Sequence, residues 1–144
     1  MKKAVFFIFF GITLLFGFQK GELISDNLAK KLQLQQDKTY IIDFFASWCV
    51  SCKIELPKLN KLNGELSAHT KIIGIDVDEK LDDAKSFQKE LHINFPVIND
   101  TKQEIIKVFN PVGVPAIYVI RDKKVIDKII GAKDDIDKLL EKYK

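Results

Sequence analysis

The chain has 144 residues, 47% of them hydrophobic, which suffices for one domain with a packed core. Its 23 Lys plus Arg against 20 Asp plus Glu give a formal net charge of +3, and Lys2 and Lys3 supply two of those positive charges. That balance leaves no basic footprint for nucleic acid, no charged tail and no disordered composition. Only one segment is apolar enough to enter a membrane, which excludes a multi-span protein, and two cysteines cannot build a disulfide-rich scaffold.

Met1-Lys2-Lys3 is followed by a run from Ala4 to Phe18 with no charge, holding six of the 11 Phe. A short positive start and an apolar stretch of this size form a secretory signal, whereas a core helix would keep polar positions on one face. No Ala-x-Ala cleavage site follows, and Leu15-Phe16-Gly17 is its nearest substitute. Residues 1–20 are therefore expected to be a signal peptide or an uncleaved anchor, with membrane association through residues 4–18, and residues 21–144 the domain. Lysines ahead of the run place that domain outside the cytoplasm, where disulfides persist. In a bacterium this is the periplasm or the outer face of the inner membrane.

Ser25 is suited to cap a short helix carrying Leu28, Leu32 and Leu34. Thr39 to Ala46 is β-branched and aromatic and predicts a buried strand. Val50 to Leu66 predicts a helix, with Ile54, Leu56, Leu59, Leu62 and Leu66 as its apolar face and Pro57 as a kink. A second buried strand follows at Lys71 to Val77 and a helix at Asp82 to Leu91. Phe95 to Ile98 is a short extended piece, and Lys102 to Phe109 a further helix. Strands at Ala116 to Ile120 and Lys124 to Ile130 flank a tight turn at Arg121 to Lys123, and an amphipathic helix from Lys133 or Asp134 to Tyr143 closes the chain. A parallel βαβ unit followed by an antiparallel ββα unit predicts an α/β fold, a mixed central sheet with helices on both faces.

Cys49-Val50-Ser51-Cys52 stands where the first strand gives way to a helix. Residues i and i+3 on a first helical turn lie near the Cα separation of a disulfide. The helix N-terminus favours an anion, so Cys49 is the expected nucleophilic thiolate, with Lys53 adding positive potential and Cys52 resolving the mixed disulfide. A zinc knuckle needs four ligands, and His69 and His92 are distant from the pair and read as surface residues. A copper-binding dithiol would need a third ligand. Asp43, in an otherwise apolar strand six residues before Cys49, can hold a proton near neutral pH and serve Cys52 as acid or base. Glu55, three after Cys52, can share its helical face. The acids from Asp76 to Asp83 lack the glycine and terminal Glu of a calcium loop and read as solvated surface.

Asp43-Phe44-Phe45-Ala46-Ser47-Trp48-Cys49-Val50-Ser51-Cys52-Lys53 resembles the active-site strand, turn and helix start of the thioredoxin superfamily, and Val112-Gly113-Val114-Pro115-Ala116 its cis-proline loop. Within it, Cys52-Lys53-Ile54-Glu55-Leu56-Pro57 is similar to the helix of TlpA/ResA-like thioredoxins, and the stretch from Ile73 through Asp100 to their central insertion. The resemblance covers residues 39–144. It departs from the family in three places: helix-like residues stand where a first β-hairpin is usual, Val50-Ser51 lacks a proline, and the Arg121-Asp122-Lys123 turn lacks a glycine.

The resemblance implies a thioredoxin fold and an exported thiol-disulfide oxidoreductase without prosthetic group or metal. Cys49 and Cys52 would form its redox-active disulfide, Glu55 would tune the thiols and relay protons, and Pro115 would present the backbone of Val114 to an extended substrate. Trp48 would join the apolar docking surface. Such a reductase acts on protein disulfides, those of apocytochrome c by family analogy, and takes electrons from a membrane thiol-disulfide donor. Two other readings share the motif: a periplasmic dithiol oxidant, and a dithiol copper carrier that is no enzyme.

Overall fold

The computed structural model describes residues 17–144; most of the expected leader, residues 1–16, lies outside them. Ser25 caps α1 (Asp26–Lys31), its Oγ accepting the N–H of Leu28 at 3.2 Å. There follow β1 (Thr39–Phe45), α2 (Val50–Asn63), β2 (Thr70–Asp76), α3 (Leu81–Glu90), β3 (Val97–Asn99), α4 (Glu104–Phe109), β4 (Ala116–Arg121), β5 (Lys124–Ile130) and α5 (Ile136–Leu140), with a closing 3-10 turn at Glu141–Tyr143.

The five strands form one sheet in the order β3-β2-β1-β4-β5. β1 and β2 are parallel with Thr39 opposite Thr70, and β3 adds parallel to β2 with Gly74 opposite Val97. β4 runs antiparallel to β1 with Phe44 opposite Ala116, and β5 antiparallel to β4. Gly74 is required here, because a Cβ would meet Phe45 Cε1 at 2.8 Å. The two-residue turn between β4 and β5 has Asp122 at φ 50° and Lys123 at φ 62°, the left-handed pair that matches strand twist and usually recruits glycine.

All seven residues of β1 are buried, as its central place demands, and their alternation divides the core. Tyr40, Ile42 and Phe44 pack with Leu28 and Ala29 of α1 and Ile105 and Phe109 of α4. Ile41 and Phe45 pack on the other face with Cys52, Leu56, Leu59 and Leu62 of α2, Phe87 of α3, and Ile136 and Leu140 of α5. Asp43 has the parity of Ile41 and Phe45, so it lies on the α2 side.

Several expectations are corrected. α2 stops at Asn63, with Gly64 as its C-cap, so Leu66 lies beyond it. Ile54 is 61% exposed, because the inner face runs Cys52, Glu55, Leu56, Leu59, Leu62, and Ile54 sits two positions off that phase. Pro57 stands inside α2 on its solvent side. α5 begins only at Ile136. Asp76 and Asp78, expected on a solvated surface, are buried, because Gln88, Ser47 and the backbone supply partners for their carboxylates. The space of the missing hairpin is filled by α1 and a short extended stretch, in which Leu23 bridges Lys124 of β5 in antiparallel sense. Ahead of it Phe18 donates its N–H to the Phe109 carbonyl at 3.1 Å and sets its ring edge-on to Phe109.

Candidate active site

β1 ends at Phe45, and the chain turns through Ala46-Ser47-Trp48 into α2, with Cys49 as N-cap residue. The Cys49 N–H donates back to the Ala46 carbonyl at 3.1 Å, and the Cys52 N–H donates to Cys49 Sγ at 3.2 Å. Cys49 and Cys52 are disulfide-bonded with Cα atoms 5.2 Å apart. Cys49 is 7% exposed and Cys52 fully enclosed, so an incoming sulfur can reach only Cys49 without rearrangement. The free N–H groups of the helix start and the macrodipole favour negative charge on that sulfur. Lys53, one turn on, is paired with Glu90 at 2.5 Å on the surface.

Between β1 and α2 the sequence places two acids in the core. Asp43 is buried, and neither of its carboxylate oxygens has a hydrogen-bond partner among the described residues. Burial, followed by the charge of Glu55, pushes its pKa well above the usual carboxylate range. Glu55 is 3% exposed, and its Oε1 likewise lacks a partner. Burial pushes Glu55 up to about 7, and Lys58 partly offsets the rise. Glu55 also lines a small cavity of about 50 Å³ with Ser51, Ile54, Ala132, Lys133 and Asp134, so it is the member of the pair nearer to solvent. Two carboxyl groups raised in this way can keep a proton near neutral pH.

The Val114-Pro115 peptide bond is cis. Pro115 is buried directly before β4, whose Ala116 pairs with Phe44 at the end of β1 that feeds the cysteine turn. Val114 packs against the core cluster containing Cys49 and Cys52, and its backbone makes no hydrogen bond to another described residue. Trp48, 66% exposed, with the exposed Val50, Ile54 and Val112, gives this end of the molecule an apolar rim. Of the expected site residues, Asp43 thus lies in the second half of β1, Trp48 and Cys49 in the turn after it, Cys52 and Glu55 in the first half of α2, and Val114 and Pro115 in the loop before β4. His69 and His92 are exposed, in the turn before β2 and the turn after α3.

Ser47 and Asp78 escaped the sequence reading. Asp78 Oδ2 accepts the Ser47 N–H and Oδ1 the Ser47 hydroxyl, both at 2.8 Å. An alternation of apolar residues with aspartates through Ile75-Asp76-Val77-Asp78, directly continuing a buried strand, was the available signal.

An enclosed cysteine pair at a helix N-cap, on a mixed sheet and beside a cis-proline loop, defines a thiol-disulfide oxidoreductase of the thioredoxin superfamily. Residues 22–129 match the model of the AhpC/TSA family, and the chain belongs to that family. It is 32% identical over 126 residues to the thiol-disulfide oxidoreductase ResA of Bacillus thuringiensis subsp. konkukian, a match spanning 83% of this chain and 73% of that protein. Among solved structures it is similar to a thiol:disulfide interchange protein of the thioredoxin family from Chlorobium tepidum, at 30% identity and TM-score 0.66 over 80% of this chain and 83% of that one. A putative thiol:disulfide interchange protein DsbE from the same organism superposes with TM-score 0.74 over 87% of this chain and 94% of that one; at 24% identity it shares the fold.

Proposed function

We propose that the protein is an exported reductase of protein disulfides, acting in the periplasm or at the outer face of the inner membrane. The observation that carries its chemistry is the inequality of the two sulfurs: Cys49 reaches the surface at a helix N-cap and Cys52 is enclosed. In the reduced protein the Cys49 thiolate attacks one sulfur of a substrate disulfide. A mixed disulfide forms and the first substrate thiolate leaves. Cys52 gives its proton to the ionised Glu55 carboxylate, whose value near 7 lets it accept one at neutral pH while Asp43 stays protonated, attacks Cys49 Sγ, and releases the second substrate thiolate, leaving the Cys49–Cys52 disulfide. The backbone of Val114, which stands before Pro115 and has no hydrogen-bond partner among the described residues, accepts an extended substrate strand while Trp48 covers its apolar side chains.

Export is supported by Lys2 and Lys3 ahead of the uncharged run to Phe18. The likeness to TlpA/ResA-like thioredoxins supports apocytochrome c cysteines as substrate and a membrane thiol-disulfide donor that restores the dithiol.

The reduction potential of the pair tests the direction of electron flow. A reductase is expected at about −270 to −200 mV, and a value near about −120 mV would make the protein an oxidant. Cys52→Ser is expected to accumulate mixed disulfides with substrate proteins and Cys49→Ser to form none. Failure of both variants to trap a partner would overturn the nucleophile assignment.

A further inference from the structure

Between the buried Ala46 and Cys49 the turn has little packing of its own, since Trp48 points largely into solvent and Ser47 is only half-buried. In the disulfide form this turn is held by the covalent bond to Cys52, by the Cys49 N–H on Ala46, and by the two hydrogen bonds from Ser47 to the Asp78 carboxylate. The anchor behind Ser47 is itself braced. The Asp78 N–H donates to Asp76 Oδ1 at 3.0 Å, and Gln88 Nε2 of α3 donates both to Asp76 Oδ2 at 2.9 Å and to Asn99 Oδ1 of β3 at 2.7 Å. Gln103 Nε2 reaches the Val77 carbonyl between the two aspartates at 3.1 Å. A hydrogen-bonded chain therefore runs from α3 and β3, through the end of β2, to the residue two before the nucleophile. A bond from N–H to a buried carboxylate is stronger than one between neutral groups, and Asp78 is 4% exposed.

Reduction removes the covalent restraint and leaves the others. Cys49 must then remain at the N-cap, where its sulfur accepts the Cys52 N–H, for the helix start to stabilise the thiolate. We infer that Asp78 is a positioning residue for the redox reaction, clamping Ser47 so that the cysteine turn keeps its geometry in the dithiol form. The clamp does more work in the dithiol than in the disulfide, because in the disulfide the Cys49–Cys52 bond already imposes much of the same restraint. By a thermodynamic cycle, whatever stabilises the reduced form selectively shifts the dithiol–disulfide equilibrium toward reduction. The inference rests on the thiol-disulfide activity alone and is independent of compartment, substrate and direction of electron flow.

The test is a redox titration of the protein against glutathione, for wild type, Asp78→Asn, Ser47→Ala and Ser47→Thr, with thiolate absorbance followed against pH. In Asp78→Asn the equilibrium constant for disulfide formation is expected to rise about tenfold, which for two electrons is about 30 mV more negative. Ser47→Ala, which keeps the backbone bond, is expected to shift it in the same direction by about threefold, and Ser47→Thr, which keeps the hydroxyl, to match wild type. The Cys49 thiol is expected to titrate at higher pH in Ser47→Ala, which changes no charge beside it. Equal loss of stability in both redox forms, with equilibrium constants within about twofold of wild type, would make Asp78 merely structural and overturn the inference, as would a shift of opposite sign. Should Asp78→Asn fail to fold, Ser47→Ala decides. The wild-type curve separately reads the direction of electron flow, so failure of the reductase reading and failure of the clamp are distinguishable.

Discussion

Asp43 and Glu55 place two protonatable groups in an otherwise apolar part of the core, and their burial gives stability a definite pH dependence. A carboxyl group raised in the folded state binds its proton more tightly there than in the unfolded chain. Its contribution is therefore present in full below the unfolded value and lost as pH rises through the folded one. For Glu55 that window runs from 4.5 to about 7. At about 1.4 kcal/mol per pKa unit, it corresponds to roughly 3 kcal/mol. Asp43, raised in the same direction, adds to the fall. Urea denaturation of the oxidised protein at several pH values is expected to show stability declining from pH 4.5 to pH 8, and Glu55→Gln to remove about 3 kcal/mol of that decline. A Glu55→Gln curve parallel to wild type would show that the carboxyl is not held protonated.

Among the elements, the β4–β5 hairpin shows how tertiary pairing overrides local preference. Lys123 adopts φ 62°, a conformation that disfavours any residue with a Cβ, yet the register from Arg121–Lys124 upward leaves room for just two turn residues. The turn is held from outside: the Asp37 N–H donates to Asp122 Oδ1 at 3.2 Å, and the Ile24 N–H to the Lys123 carbonyl at 2.9 Å. Lys123→Gly keeps both bonds and relieves the left-handed strain, at the loss of an exposed ion pair to Asp26 that contributes little. It is expected to stabilise the protein by about 1 kcal/mol in chemical denaturation. A neutral or destabilising outcome would mean that the turn is not under that strain. α2 teaches a related lesson, since its helical phase is set by packing on β1, which turns Glu55 inward and Ile54 outward.

For the molecule as a whole, the packed domain reaches back to the end of the apolar N-terminal run. Phe18, Phe44 and Tyr118 surround Phe109 at ring-centroid distances of 5.2, 4.9 and 4.9 Å. Gly17 is buried against the Phe109 and Asn110 carbonyls, where a Cβ has no room. A domain beginning at Gly17 is thus expected to be more stable than one beginning at Gln19 by about 1–2 kcal/mol, through the Phe18 ring contact and its N–H bond. Equal midpoints in thermal unfolding would show that Phe18 contributes nothing. Because Asn110 opens the loop leading to Val114 and Pro115, this seam also lies toward the active-site end of the sheet.

By itself the sequence determined the order of strands and helices, the mixed sheet and the place of the cysteine pair at a helix start. Those depend on local signals: β-branched apolar runs long enough for strands, a proline after valine, and two cysteines spaced for one helical turn. Only the tertiary structure decided the partners of the buried charges. Asp76 and Asp78 look like surface acids along the chain, and they can be buried because residues 31 positions away in one case (Ser47 to Asp78) and 12 in another (Gln88 to Asp76) supply donors. It also decided which side of α2 faces inward and how short the last helix is. Hydrophobic periodicity sets an element's type, whereas its rotation and ends are fixed by the surfaces it meets.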